Sequence, residues 1–332
     1  MHCRHCSDLF KGPKSELPLD AILNFQRSLS TLGKFSSVVT GGEPTLHSEF
    51  DEIVEGLSAF GPVTVTTNGL SFAAHRAETL LRRCPHLFIQ VSFDGVRKET
   101  FESQRGKNTF NRVVRFVEDL CQKELGGRMG LSMTLTTSNY AEAMDLLAFA
   151  KGNGISTVHF PQLIPIGNAR TRWSSIALNV DAQVGLEHLL LEQYAELATG
   201  VHMSVNRLER IAAWYLHGQT ADCLRTLTLR ITPDGWIVPC PTAAVDRFNL
   251  GKIDEYPQPD KLLQTLNERG EELRLFASTG KTCASQVPDI PKPSMRTCES
   301  CWMLGQPDPQ IARYGEQINA QHMHELVHQL HV

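Results

Sequence analysis

Ser36-Ser37-Val38-Val39-Thr40-Gly41-Gly42-Glu43-Pro44-Thr45-Leu46-His47 is the stretch whose reading decides the fold. Val38, Val39 and Thr40 form a short β-branched run of the kind a buried strand uses. The run stops at Gly41-Gly42, where the missing Cβ atoms let a ligand approach the main chain closely. Glu43 then offers a carboxylate to a cationic group, and Pro44 sets the direction of exit. Ser48, with Asp51 three residues on, is expected to cap a helix that puts Phe50, Ile53, Val54 and Leu57 on one face. An isolated Gly-Gly is ordinarily a tight turn. Gly-Gly-Glu-Pro is more particular, because it sets a carboxylate and a rigid turn where α/β proteins bind ligands.

The rest of the chain repeats that design. Strands are expected near 36–40, 62–66, 87–92, 129–135 and 156–160, with helices at 48–59, 72–83, 109–124 and 140–152 between them. A further helix near 18–31 precedes the first strand. Repeated βα units build a parallel sheet with helices outside it. The second strand ends in Thr66-Thr67-Asn68-Gly69, and the third, Leu87 to Gly95, ends in Ser92, Asp94 and Gly95. Three consecutive strands therefore aim polar ends at one rim. Met133 to Asn139 continues the pattern with Thr136 and Asn139, and His159 to Arg170 with Pro165, Gly167 and Arg170.

With those residues in view, the chain resembles the radical SAM enzymes. Gly41-Gly42-Glu43-Pro44 is similar to their S-adenosylmethionine loop, which receives the amino group of the methionine moiety. Thr67-Asn68 resembles the segment that lies close to that cofactor, and Ser92 and Asp94 the residues near its ribose and carboxylate. Cys3-Arg4-His5-Cys6 fits the last two cysteines and the ring position, near the adenine, of the motif that holds a [4Fe–4S] cluster. The first cysteine of that motif would fall two residues before Met1, and no residues remain for a first strand. The resemblance thus implies a partial (β/α)6 barrel lacking its first strand, with Met1 internal to a longer product. On its own, a Cys-x-x-Cys is a zinc or redox pair. Two thiolates without a third leave a cluster labile. Arg105 is either a contact to the cofactor carboxylate or substrate, or a solvated surface arginine.

From Cys223 the composition changes, with more proline and most of the cysteines. Leu227 to Cys240 reads as a β-hairpin turning at Pro233-Asp234-Gly235. Together with Leu250-Gly251-Lys252-Ile253 and Cys298-Glu299-Ser300-Cys301, it resembles the SPASM or twitch module, a small Cys-rich α+β domain. That resemblance implies an auxiliary [4Fe–4S] cluster on Cys223, Cys240, Cys298 and Cys301, with Cys283 in reserve. The same four thiolates fit zinc equally well. The expected organisation is a core barrel over 1–170, bridging helices over 171–222, the auxiliary domain over 223–305 and a helical tail over 306–332. Residues 178–218 read as two helices. In the tail, His324-Glu325-Leu326-Val327-His328 satisfies a zinc-protease pattern, but it lies beside the end of the chain with no further ligand after it. A solvated amphipathic helix accounts for it better.

Composition narrows the function. The chain of 332 residues has a formal net charge of −4 and a pI near 6.4, which argues against a general nucleic-acid or anionic-membrane binder. No run of about 18 apolar residues is present, so no membrane span is expected. The first residues are no secretory signal, and nine cysteines then read as metal ligands and buried thiols of a cytoplasmic protein. Cys84 and Cys121 are expected to be core thiols. The resemblance implies reductive cleavage of S-adenosylmethionine to a 5′-deoxyadenosyl radical that abstracts hydrogen from a peptide or a small molecule. It also implies a flavodoxin- or ferredoxin-type electron donor. The competing reading is a non-catalytic zinc or iron–sulfur protein on a degenerate barrel.

Overall fold

The computed structural model describes residues 3–6, 16–161, 163, 167–179, 182–183, 185–186, 189–190, 200–205, 229–238 and 249–278. It divides into two units, Met1–Val205 and Asn206–Val332. In the first unit α1 (Leu19–Ser30) leads into β1 (Ser37–Val39), α2 (Phe50–Ser58), β2 (Val63–Thr67), α3 (Ala74–Arg83) and β3 (Leu87–Ser92). Then follow α4 (Lys98–Arg105), α5 (Phe110–Cys121), β4 (Met129–Ser132), α6 (Ala143–Gly152), β5 (Thr157–Phe160), α7 (Gly167–Ile176) and β6 (His202–Val205). The six strands form one sheet in sequential order. Every pairing in it is parallel.

Alternation along each strand sorts side chains onto two faces. Val63, Val65, Ile89, Val91, Leu131, Val158 and Met203 are buried. Beneath the helices they meet Val54, Leu81, Val113, Val117, Leu147 and Ala150, which are buried as well. Thr66, Gln90, Ser92, Ser132 and His159 point the other way and are half-buried. Gly130 fixes that assignment. A Cβ there would lie 2.9 Å from Gln90 Oε1 and 3.0 Å from the Phe88 ring, so Phe88 and Gln90 lean across the strand on the second face.

Four expectations change. Val38 is 64% exposed, because β1 is the sheet's edge and pairs only with β2 among the described residues. A β-branched run reports strand propensity, whereas burial depends on a neighbour. Residues 202–205, expected to be helical, form β6 beside β5; His202-Met203-Ser204-Val205 alternates too briefly to stand out. Ser48 does not cap α2; its backbone N–H and hydroxyl both donate to Glu16, at 3.2 and 2.7 Å. Asp51 instead accepts from Arg76 Nε at 2.9 Å. Finally, an unanticipated helix, α4, ends on Arg105.

In the second unit, β7 (Arg230–Ile231) and β8 (Ile237–Val238) form the expected antiparallel hairpin. Gly235 takes φ +87° at its turn. Ile237 N–H donates to Gly251 O, and Leu250 N–H to Ile237 O, both at 2.8 Å, so the Gly251 segment adds along the hairpin. The helix α8 (Pro259–Ser278) follows. Cys223, Cys240, Cys283, Cys298, Cys301, His324 and His328 lie outside the described residues.

Candidate active site

The rim where the strands end collects three loops. The first is Gly41–Pro44. Its apparent ligand, Glu43, is occupied by the protein itself. Oε1 accepts from Thr45 Oγ1 and Thr67 Oγ1, each at 2.7 Å, and Oε2 accepts from Asn68 N–H at 2.7 Å. The carboxylate therefore ties the loop to the tip of β2. Asn68 Oδ1 then accepts from Leu70 N–H at 2.8 Å, closing an Asx turn in which Gly69 adopts φ +70°. Gly41 and Gly42 stay exposed, and a Cβ at either would meet nothing within 4 Å. What the loop presents to a ligand is open backbone.

The second loop carries Cys3, His5 and Cys6, closed as a turn by Cys6 N–H donating to Cys3 O at 3.3 Å. It is docked from several directions. Arg4 N–H donates to Gln104 O at 3.1 Å, and His5 Nε2 lies 3.2 Å from Asp94 Oδ2. Burial pushes the His5 imidazole below its ordinary range, with Asp94 opposing and Arg105 reinforcing the shift. Burial also pushes the Cys3 thiol up, against the pull of the Arg105 guanidinium.

Asp94, after β3, is the third element. It is fully buried, and both oxygens are occupied: Oδ2 by Arg105 Nε at 2.5 Å, Oδ1 by Thr134 N–H at 2.9 Å. Arg105 is only 7% exposed, which removes the reading of a solvated surface arginine. Thr136 and Asn139 belong to the loop beyond β4, which ends at Ser132, rather than to the strand itself. They are fully buried, with Asn139 Nδ2 donating to Asp94 O at 3.1 Å and Gln104 Nε2 to Thr136 Oγ1 at 2.9 Å. Two atoms of this cluster, His5 Nδ1 and Gln104 Oε1, are buried without a hydrogen-bond partner among the described residues.

Next to these loops the second face of the sheet offers a polar row. Ser92, Ser132, His159 and Ser204 are in register across four adjacent strands, and His159 Nδ1 lies 2.8 Å from Ser204 Oγ. Cys84 is buried as expected, whereas Cys121 is half-buried, its thiol pushed up by burial and by Glu118.

Sequence reasoning missed Gln104 and Asn168. Asn168 N–H donates to Cys6 O at 2.9 Å, and its Nδ2 to Cys3 O at 3.1 Å. A Gly-Asn pair opening a helix was the available signal, and it reads as an ordinary helix start.

The residues fit a cofactor with polar groups: an open glycine loop and an arginine at the same rim. For a cluster they supply the soft thiols of Cys3 and Cys6; no group of three metal-binding side chains forms among the described residues. Fold and site together define a parallel α/β protein whose polar loops gather at the strand-end rim.

Comparison with known proteins sharpens that class. Residues 1–159 match the family described as the Radical SAM superfamily. The chain is 27% identical over 258 residues to mycofactocin maturase MftC of Mycobacterium tuberculosis H37Rv, covering 76% of this chain and 64% of that protein's length. It is 24% identical over 255 residues to a probable GTP 3′,8-cyclase of Archaeoglobus fulgidus, covering 72% and 81%. Among solved structures, anSMEcpe with bound AdoMet and Kp18Cys peptide aligns with a TM-score of 0.63 at 17% identity, covering 80% and 78%. Streptococcus suis SuiB bound to precursor peptide SuiA aligns with a TM-score of 0.63 at 14% identity, covering 92% and 67%. At such identities the structural likeness is one of fold.

Proposed function

We propose that the protein is a radical SAM enzyme of the maturase kind, acting on a peptide. The observation that carries this reading is the convergence at one rim of the Glu43-anchored glycine loop with the Cys3–Cys6 loop docked on Asp94. A reduced [4Fe–4S] cluster with S-adenosylmethionine would supply the radical chemistry that abstracts hydrogen from substrate. The chain's own part is to hold and orient. The exposed Gly41-Gly42 backbone would receive the cofactor's ammonium group, while Glu43 keeps the loop in place. Arg105, its charge balanced by Asp94, would meet the cofactor's carboxylate, and His5 would help hold its adenine. Cys3 and Cys6 hold the cluster.

A peptide substrate is favoured by the hydroxyl and imidazole row on the sheet, which suits amide groups, and by the maturase among the relatives. The cyclase keeps a small-molecule substrate as the second reading. The hairpin with its Gly251 segment supports an auxiliary-cluster module of the SPASM or twitch type, with Cys223, Cys240, Cys298 and Cys301 as ligands and Cys283 in reserve. Cytoplasmic location and a flavodoxin- or ferredoxin-type donor complete the proposal.

The test is anaerobic reconstitution of the protein with iron and sulfide. After reduction it yields 5′-deoxyadenosine from S-adenosylmethionine, and a deuterated substrate peptide passes its label into that product. Colourless protein holding stoichiometric zinc and making no deoxyadenosine supports the non-catalytic reading instead.

A further inference from the structure

Cys3 and Cys6 are 165 and 162 residues before the side chain that fixes their main chain. Asn168, the second residue of α7, donates its backbone N–H to Cys6 O at 2.9 Å and its side-chain Nδ2 to Cys3 O at 3.1 Å. The first N–H groups of a helix have no acceptor within it. Cys6 O supplies one, so the start of α7 and the thiol loop satisfy each other. Cys3 O also accepts from Cys6 N–H at 3.3 Å, and one amide thus stabilises both ends of the turn that sets the spacing of the two thiols. Gly167 reaches φ +59°, which turns the chain so that Asn168 meets both carbonyls. Other docking contacts of the loop, Arg4 N–H to Gln104 O and His5 to Asp94, hold the residues between the cysteines.

We propose that Asn168 is the positioning residue of the Cys3–Cys6 loop, fixing the two thiols in the geometry their metal cluster requires. The proposal deepens the functional reading above and rests on it for the identity of the cluster. The geometric part stands apart from that identity and is tested without metal. Asn168→Ala removes one donor and keeps the backbone bond; Asn168→Asp keeps the shape but sets an acceptor against Cys3 O. Ser174→Ala, on the exposed side of the same helix, is the control.

In the metal-free protein, alkylation by iodoacetamide, mapped by mass spectrometry, rises about fivefold at Cys3 and Cys6 in Asn168→Ala, the scale of one hydrogen bond. It rises further in Asn168→Asp, with Cys84 and Cys121 unchanged and thermal unfolding near the parent's. In the reconstituted protein the same variants lose their cluster absorbance to a chelator faster than the parent, in the same order. Equal alkylation at Cys3 and Cys6 in parent and variants overturns the proposal, whatever the cluster does. Should the variants respond in alkylation while the parent takes up no cluster, the positioning role is upheld and the iron–sulfur reading falls.

Discussion

Asp94 is a buried anion whose carboxylate faces a guanidinium, an imidazole and a backbone N–H. An aspartate at a strand end reads in the sequence as a ligand contact; here it acts through Arg105 and His5. Replacing it by asparagine leaves Arg105 as an uncompensated buried cation, which costs about 3–5 kcal/mol. Urea unfolding of Asp94→Asn should register that loss, and adding Arg105→Met to the Asp94→Asn variant should recover much of it. Glu43 makes the same point from the other side of the rim. Glu43→Gln replaces one accepting oxygen with a donor, and a mismatch of this kind costs about 1–3 kcal/mol. The expected result is weaker S-adenosylmethionine binding by the reconstituted protein, measured by titration, with the iron content unchanged.

At the level of strands and helices, two features carry predictions. Gly130 has Gln90 Oε1 and the Phe88 ring directly where a Cβ would go. Gly130→Ala therefore forces side chains to shift in the middle of the sheet, destabilising by about 1–3 kcal/mol, which denaturant titration measures. An exposed β1 edge is a template for intermolecular pairing. Val38→Lys should lower the concentration-dependent association of this chain in light scattering, with its circular dichroism unchanged. Helices and strands were legible where periodicity was long, as in β2, β3, α2 and α5. They were illegible where position in the sheet decides burial, as at Val38, or where four residues give too short a pattern, as in β6. Arg105 illustrates the limit on sites: its sequence neighbours are polar, and only the fold encloses it with Asp94.

For the molecule as a whole, binding is coupled to stability through mass action. With the cluster loaded, S-adenosylmethionine at about 100 times its Kd should stabilise the protein by about 2.7 kcal/mol, visible as a raised thermal midpoint. Gly42→Val projects into open space and spares the fold, yet it occupies the loop's ligand side, so the increment disappears while the unliganded midpoint stays. The glycine loop, the rim asparagine and the repeated βα order were readable from the chain because each rests on local chemistry. Asn168 was not, since its role depends on a loop more than 160 residues away, and spacing along the chain carries no sign of that meeting.

The knot of hydrogen bonds on Glu43 has a bearing on rates. A loop already frozen onto the end of β2 has no disordered state to leave when a guest arrives, so association needs no slow refolding step and proceeds by simple encounter. Differences in affinity among variants that leave the knot intact then show up in how long the guest stays. Stopped-flow traces should keep one arrival rate across such variants, while arrival slows in those that loosen the knot.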